Sequence, residues 1–209
     1  MFGRRWRQRM TDRDCGSAEA QRVAGTGRAN RQGECGGGAE IATLDVMKIQ
    51  VADAGDLAAL GYRLGRKMLF ADRLARQAAG LGLLLVAWVG SIPVGSVYLW
   101  MEPAFEPEVR KRLPDIPLLV NLEVRTDLRN RGIGTALVGA VERRSAEYGH
   151  GSLALGVEVS NVGAARLYER LGYQDWGYPP IACYSEKPPP NGRNECGGEI
   201  CYILVKSLG

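Results

Sequence analysis

Histidine occurs once in the 209 residues, at His150, and aromatic residues make up only 7% of the chain. A lone histidine in the loop "EYGHGS" offers no pair for a metal site or a proton relay, so His150 is given no catalytic part. The five cysteines, Cys15, Cys35, Cys183, Cys196 and Cys201, include no C-x-x-C pair. An odd number without that spacing speaks against a disulfide framework and against zinc, and free thiols in a reducing compartment are expected. A redox or metal role is left only to Cys196 and Cys201, if they meet across the last two strands. Long apolar runs are also scarce. No apolar segment follows the basic "MFGRRWRQRM", so a secretory leader is not expected. The longest run, "LGLLLVAWVGSIPVGSVYLW", is broken by Gly90, Ser91 and Pro93 and rich in β-formers, which makes it two strands and a turn rather than a membrane span. A cytoplasmic protein without membrane contact is the expectation, and no internal repeat is visible.

Positive charge is scarce where a nucleic-acid surface would need it. The net charge is +4, but residues 1–40 hold eight Arg against five Asp and Glu, so that segment alone carries +3. The remainder is nearly neutral, so a general nucleic-acid-binding face is not indicated. Residues 1–44 also contain eight Gly and very few aliphatic residues. Such a segment buries too little surface to offset its ordering entropy, so a disordered Arg/Gly-rich tail is expected, with a single domain over residues 45–209. Met47 is a candidate natural start, with the upstream residues an over-extended reading frame. Intact mass of the protein from its own host would decide this.

From "MKIQVADAGDLAAL" onward the pattern is globular. Lys48–Val51 reads as a strand, and Asp53 or Asp56 caps the helix "LAALGYRLGRK". A second helix, "LFADRLARQAA", places Leu69, Leu74 and Ala78 on one side. A hairpin about Gly90–Ser91 follows, with Pro93 at the start of its second strand where no ladder donor is lost. "EPAFEPEVRKRLPDIP" is a proline-punctuated connection with a short helix. "LLVNLEV" is a buried central strand, apolar except for Asn121 and Glu123. The helix Thr135–Tyr148 repeats Leu137, Val141 and Tyr148 at helical spacing. "SLALGVEV" is a further strand, Asn161 caps "VGAARLYERLG", and Gly172 ends it. Two closing strands lie near Ile181–Ser185 and Cys201–Lys206. The order is mixed α/β, with too little strand–helix alternation for a doubly wound sheet.

The chemistry concentrates in "DLRNRGIGTAL". Arg129-x-x-Gly132-x-Gly134 follows a strand and opens a helix. Glycines let a ligand approach the backbone, and the free N–H groups and dipole of the first turn favour an anion. No G-K-[ST] follows, so a P-loop is excluded, and the full G-x-G-x-x-G dinucleotide pattern is missing. A plain tight turn and the pyrophosphate of coenzyme A both remain.

Together, "NLEV…RNRGIGTAL" and, about thirty residues on, "VEVSNVGAARLYERLGY" resemble the GNAT superfamily of N-acetyltransferases. The likeness spans roughly Met47 to Trp176. It implies a central mixed, mostly antiparallel sheet with helices on both faces, splayed between strands 4 and 5. It also implies transfer of the acetyl group of acetyl-CoA to a primary amine by direct attack through a tetrahedral intermediate. By the same resemblance, the strand edge at Leu122 and Val124 pairs with the pantetheine arm, and the Val124 N–H faces the thioester carbonyl. Backbone N–H groups of Arg129, Asn130, Arg131, Gly132, Ile133, Gly134 and Thr135 hold the pyrophosphate. Asn161 contacts the cofactor arm, and Tyr168 borders the cofactor and protonates the departing thiolate. Glu123 and Glu158 stand in otherwise apolar strands and are the candidate bases, Glu123 ranked first because alternation points it toward the substrate cleft.

No metal is implied. The acceptor, a small-molecule or peptide amine, is not identified: a protein N-terminus, an aminoglycoside-like compound, a polyamine and an amino acid all stay open. Tyr98, Trp100, Trp176, Tyr178 and Tyr184 are candidate pocket aromatics. A homodimer through the last hairpin and its "PPPNGRNECGG" loop is a further expectation. The other class these residues allow is a non-catalytic acyl-CoA-binding module.

Overall fold

The strand-forming segments fold as the period-2 patterns predict, and they share one sheet. The computed structural model describes residues 47–183 and 199–209, which fall within one compact unit, Val46–Gly209. The expected tail disorder, Cys15, Cys35, Cys196, Tyr184 and the proline-rich loop lie outside the described residues.

The elements are β1 (Met47–Val51), α1 (Leu57–Arg63), α2 (Lys67–Ala78), β2 (Gly82–Val89), β3 (Ile92–Trp100), α3 (Pro107–Arg112), β4 (Leu118–Val124), α4 (Ile133–Glu147), β5 (Ser152–Glu158), α5 (Val162–Arg170), β6 (Gln174–Asp175), β7 (Ile181–Cys183) and β8 (Glu199–Ser207). The sheet order is β1-β2-β3-β4-β5-β8-β6, with β7 also on β8. Every pairing is antiparallel except β4 with β5. Pro93 stands beside the bulge where Trp88 faces Pro93 although Ala87 faces Gly95, a place where a missing N–H costs little.

Alternation along β2 and β3 sends side chains to two cores. Leu84, Val86, Tyr98 and Trp100 pack with Leu60 of α1 and Phe70 of α2. The other face takes α4, whose Ile133, Leu137, Val138 and Val141 are buried against β2, β3 and β4. Helices therefore cover both faces.

Three local readings are corrected. The helix begun at Leu57 stops at Arg63, because Gly65 (φ 71°) and Arg66 (φ 51°) are left-handed and separate α1 from α2. The buried face of α2 carries Phe70 and Arg73, while Ala78 is exposed. Tyr148, counted in the buried stripe of α4, is 55% exposed just beyond the helix end. Among the described residues no helix is long and apolar enough to cross a membrane.

Candidate active site

β4 and β5 pair only at their beginnings. Leu118 opposes Ala154, and the Ala154 N–H donates to the Pro117 carbonyl at 3.1 Å. Beyond that point β5 is paired along its length with β8 and β4 with β3, so the facing edges part. The opening is a cavity of about 440 Å³. Val120, Asn121 and Leu122 line it from β4, Gly156, Val157 and Glu158 from β5, and Asn161, Ala164 and Tyr168 from α5. Its other end reaches Arg73, Trp100, Phe105 and Glu106.

The backbone of β4 presents donors to this gap. Ser96 faces Glu123 and Tyr98 faces Val120, so Val97 opposes both Asn121 and Leu122, a bulge in β4. Asn121 occupies the left-handed region at φ 53°. After the bulge, the Arg125 N–H donates to the Val94 carbonyl at 3.0 Å, toward β3. Amide directions alternate along a strand, so the Val124 N–H and C=O turn toward the gap. The Val124 carbonyl there accepts a bond from Arg129 Nε at 3.2 Å.

The helix that follows is uncapped. Gly132 is the N-cap of α4 at φ 83°, without a side-chain cap. The first helical bond is from the Ala136 N–H to the Gly132 carbonyl at 3.0 Å, and the N–H groups of Ile133, Gly134 and Thr135 have no backbone partner among the described residues. Three such donors at the positive end of a 15-residue helix have the chemistry to receive an anion, and exposed Arg129 and Arg131 stand beside them. The two glycines differ in purpose. Gly132 supplies the left-handed turn, whereas a Cβ on Gly134 would point toward Leu167 Cδ2 (3.5 Å) and Val124 Cγ2 (3.9 Å), into the packing between helix and sheet.

Asn161 caps α5, its Oδ1 accepting from the Ala164 N–H at 3.1 Å. Tyr168, about two turns on, is buried with 6% exposure and packs edge-to-face on Tyr173 with ring centroids 5.7 Å apart. Burial pushes the Tyr168 phenol up from its ordinary value, which keeps it protonated. The two glutamates are not equivalent. Glu158 ends β5, lines the cavity and accepts a hydrogen bond from Ser160 Oγ. Glu123 does not line it. Its side chain is 38% exposed, on the α1–α2 face of the sheet, 3.9 Å from Arg66 Nη1. Neither carboxylate is enclosed in the apolar strand environment that the sequence suggested, because both stand near strand ends.

Trp100 lines the cavity. Tyr98 is buried beneath it, and Trp176 and Tyr178 form an edge-to-face pair outside the lining, with Arg112 3.7 Å over the Tyr178 ring. Cys183 and Cys201 are free thiols on the cavity wall, in contact through a side-chain hydrogen bond that, with burial, pushes Cys183 up. Among the described residues no group of three or more His, Cys, Asp or Glu is arranged to hold a metal ion. Sequence reasoning missed Arg73, which sits among other charges on a helix, and only its 4% exposure distinguishes it; of the acidic residues in the proline-rich connection, Glu106 is the buried one, at 7%. Burial pulls the Arg73 guanidinium down from its ordinary value, with Asp72 and the Tyr98 phenol opposing.

Residues 56–173 match the family model described as the acetyltransferase (GNAT) family. No curated protein sequence matches the chain significantly. Among solved structures, the ribosomal-protein-S18-alanine N-acetyltransferase of Escherichia coli is similar at 20% identity and a TM-score of 0.57, covering 78% of this chain and 95% of that one. The protein yncA of Salmonella typhimurium, solved with its cofactor acetyl-CoA, is 18% identical at a TM-score of 0.56 (78% and 94% covered). A GNAT acetyltransferase of Elizabethkingia anophelis with acetyl-CoA bound is 21% identical at 0.51 (78% and 99% covered).

Proposed function

The chain belongs to the acetyltransferase (GNAT) family, and from that premise we propose that it is an acetyl-CoA-dependent N-acetyltransferase acting on a primary amine. The observation that carries this reading is the parting of β4 from β5 beyond Leu118 and Ala154; the alternation of amides then faces the Val124 N–H away from β3. The uncapped N-terminus of α4 begins a few residues further on. That combination fits a ligand with an extended amide-bearing arm and a pyrophosphate: the strand edge offers backbone pairing, and the N–H groups of Ile133, Gly134 and Thr135 offer donors to an anion. Arg129, Asn130 and Arg131 complete the turn around it. Acetyl-CoA supplies an acetyl group activated as a thioester.

The chain's own groups do the rest. Leu122 and Val124 orient the arm, and the Val124 N–H stabilises negative charge developing on the acyl oxygen. Asn161 steadies the arm from α5. Tyr168, kept protonated by burial, donates a proton to the leaving thiolate. Glu158, on the cavity wall, accepts the proton of the incoming ammonium, directly or through water. Glu123 is the weaker candidate because it stands outside the cavity lining on the Arg66 side. The amine enters from the end lined by Trp100, Phe105 and Glu106, opposite Asn161 and Tyr168.

A panel of amines, comprising peptides with free N-termini, aminoglycosides, polyamines and amino acids, tests this with thiol-release detection and product mass. Amine-dependent release with an acetylated product is expected. Acetyl-CoA binding with no transfer to any amine would replace the reading with a non-catalytic acyl-CoA-binding module.

A further inference from the structure

The bulge in β4 is gripped from outside the sheet, and we propose that Arg73 of α2 is a positioning residue that holds the open edge of β4 in register through Asn121. The inference rests on the function proposed above. Removing the bulge would shift the pairing of residues 122–124 by one place. A one-residue slip reverses every later side chain and amide direction, so the Val124 N–H would turn into the β3 ladder instead of the gap. The bulge is not self-sustaining: Asn121 is held at φ 53°, a region that a non-glycine residue occupies at a cost.

Arg73 opposes that cost. Its Nη2 donates to Asn121 Oδ1 at 3.1 Å, and its Nη1 donates to Asp72 Oδ2 at 2.7 Å. The guanidinium lies 5.1 Å from the ring centroids of both Tyr98 and Trp100, and Tyr98 faces Val120 immediately before the bulge. A buried cation is an expensive way to join a helix to a sheet, and Arg73 Nε has no hydrogen-bond partner among the described residues. Phe70, one turn earlier, makes an apolar contact with the same sheet face. What a guanidinium adds at position 73 is a donor reaching the bulge. Arg73 and Asn121 both border the cavity, so the latch ties α2, on the amine side, to the strand edge that receives the cofactor arm.

The test is calorimetric binding of two probes to the full chain: acetyl-CoA, and 3′-phospho-ADP, which carries the pyrophosphate but no arm. Arg73→Met removes the donor. Asn121→Ala removes the acceptor and keeps the cost of the left-handed backbone. Each is expected to weaken acetyl-CoA about tenfold and leave 3′-phospho-ADP unchanged. The double variant is expected to lose no more than either single one, and Asn121→Asp, which keeps an acceptor for Arg73, recovers most of the affinity. Equal loss of both probes, additive losses in the double variant, or no loss would overturn the latch. Wild-type protein that binds neither probe would instead overturn the proposed function, and the latch with it.

Discussion

The two glycines of "RGIG" predict opposite consequences for the same substitution. At Gly132, φ is 83° and a Cβ meets nothing within 4 Å, so Gly132→Ala adds backbone strain without a clash. Left-handed backbone costs an ordinary residue about 1–2 kcal/mol, which for a domain of this size lowers Tm by roughly 2–8 °C. At Gly134 the added methyl would meet Leu167 Cδ2 at 3.5 Å and Val124 Cγ2 at 3.9 Å, ordinary contact distances, in a helical residue of normal φ. Alanine there gains up to about 1 kcal/mol in helix propensity, or roughly 2–4 °C in Tm. Thermal unfolding of the ligand-free proteins measures both. The acetyl-CoA affinity of Gly134→Ala should stay within about threefold of wild type, since its methyl points into the packing and away from the anion site. A destabilised Gly134→Ala, or a Gly132→Ala at least as stable as wild type, would refute the assignment of one glycine to the turn and the other to packing.

Tyr168→Phe is expected to lower kcat by ~10²-fold with acetyl-CoA affinity unchanged; equal loss of both would make Tyr168 structural. Glu158→Gln is expected to cost ~10²-fold or more in kcat, whereas Glu123→Gln has little effect; the reverse result would restore Glu123 as the base. Stability should fall in alkali. Burial pushes Tyr98 up to about 12 and also raises Tyr168 and Tyr173. Folded pKa values above the ordinary value near 10 mean that the unfolded chain releases protons first, so stability is intact below pH ~10 and declines above it. Denaturant midpoints between pH 8 and 11.5 check this, and Tyr98→Phe should flatten the decline.

Most of the fold was legible in period and punctuation. The apolar strands, the glycine after α5 and the Asn161 cap each carry a local signal that tertiary packing did not override. The break between α1 and α2 was missed because Arg66, unlike Gly65, gives no hint of a left-handed φ. The bulge at Asn121 was missed because "LLVNLEV" reads as regular alternation, and the partner that exposes the irregularity, Val97, lies on another strand. The same cause hid which glutamate lines the cavity: which strand end borders the gap depends on how β4 separates from β5, a non-local property. The two motifs around Arg129–Thr135 and Asn161–Tyr168 were readable since each combines a helix start with its own cap or turn. Arg73 was not, because a charge becomes informative only once it is known to be buried.

A crystal structure of the full chain with acetyl-CoA tests the central claim most directly. The account predicts the pyrophosphate on the N–H groups of Ile133, Gly134 and Thr135, the arm between β4 and β5, and the thioester carbonyl at the Val124 N–H. Acetyl-CoA bound anywhere else, with the gap between β4 and β5 empty, would contradict it.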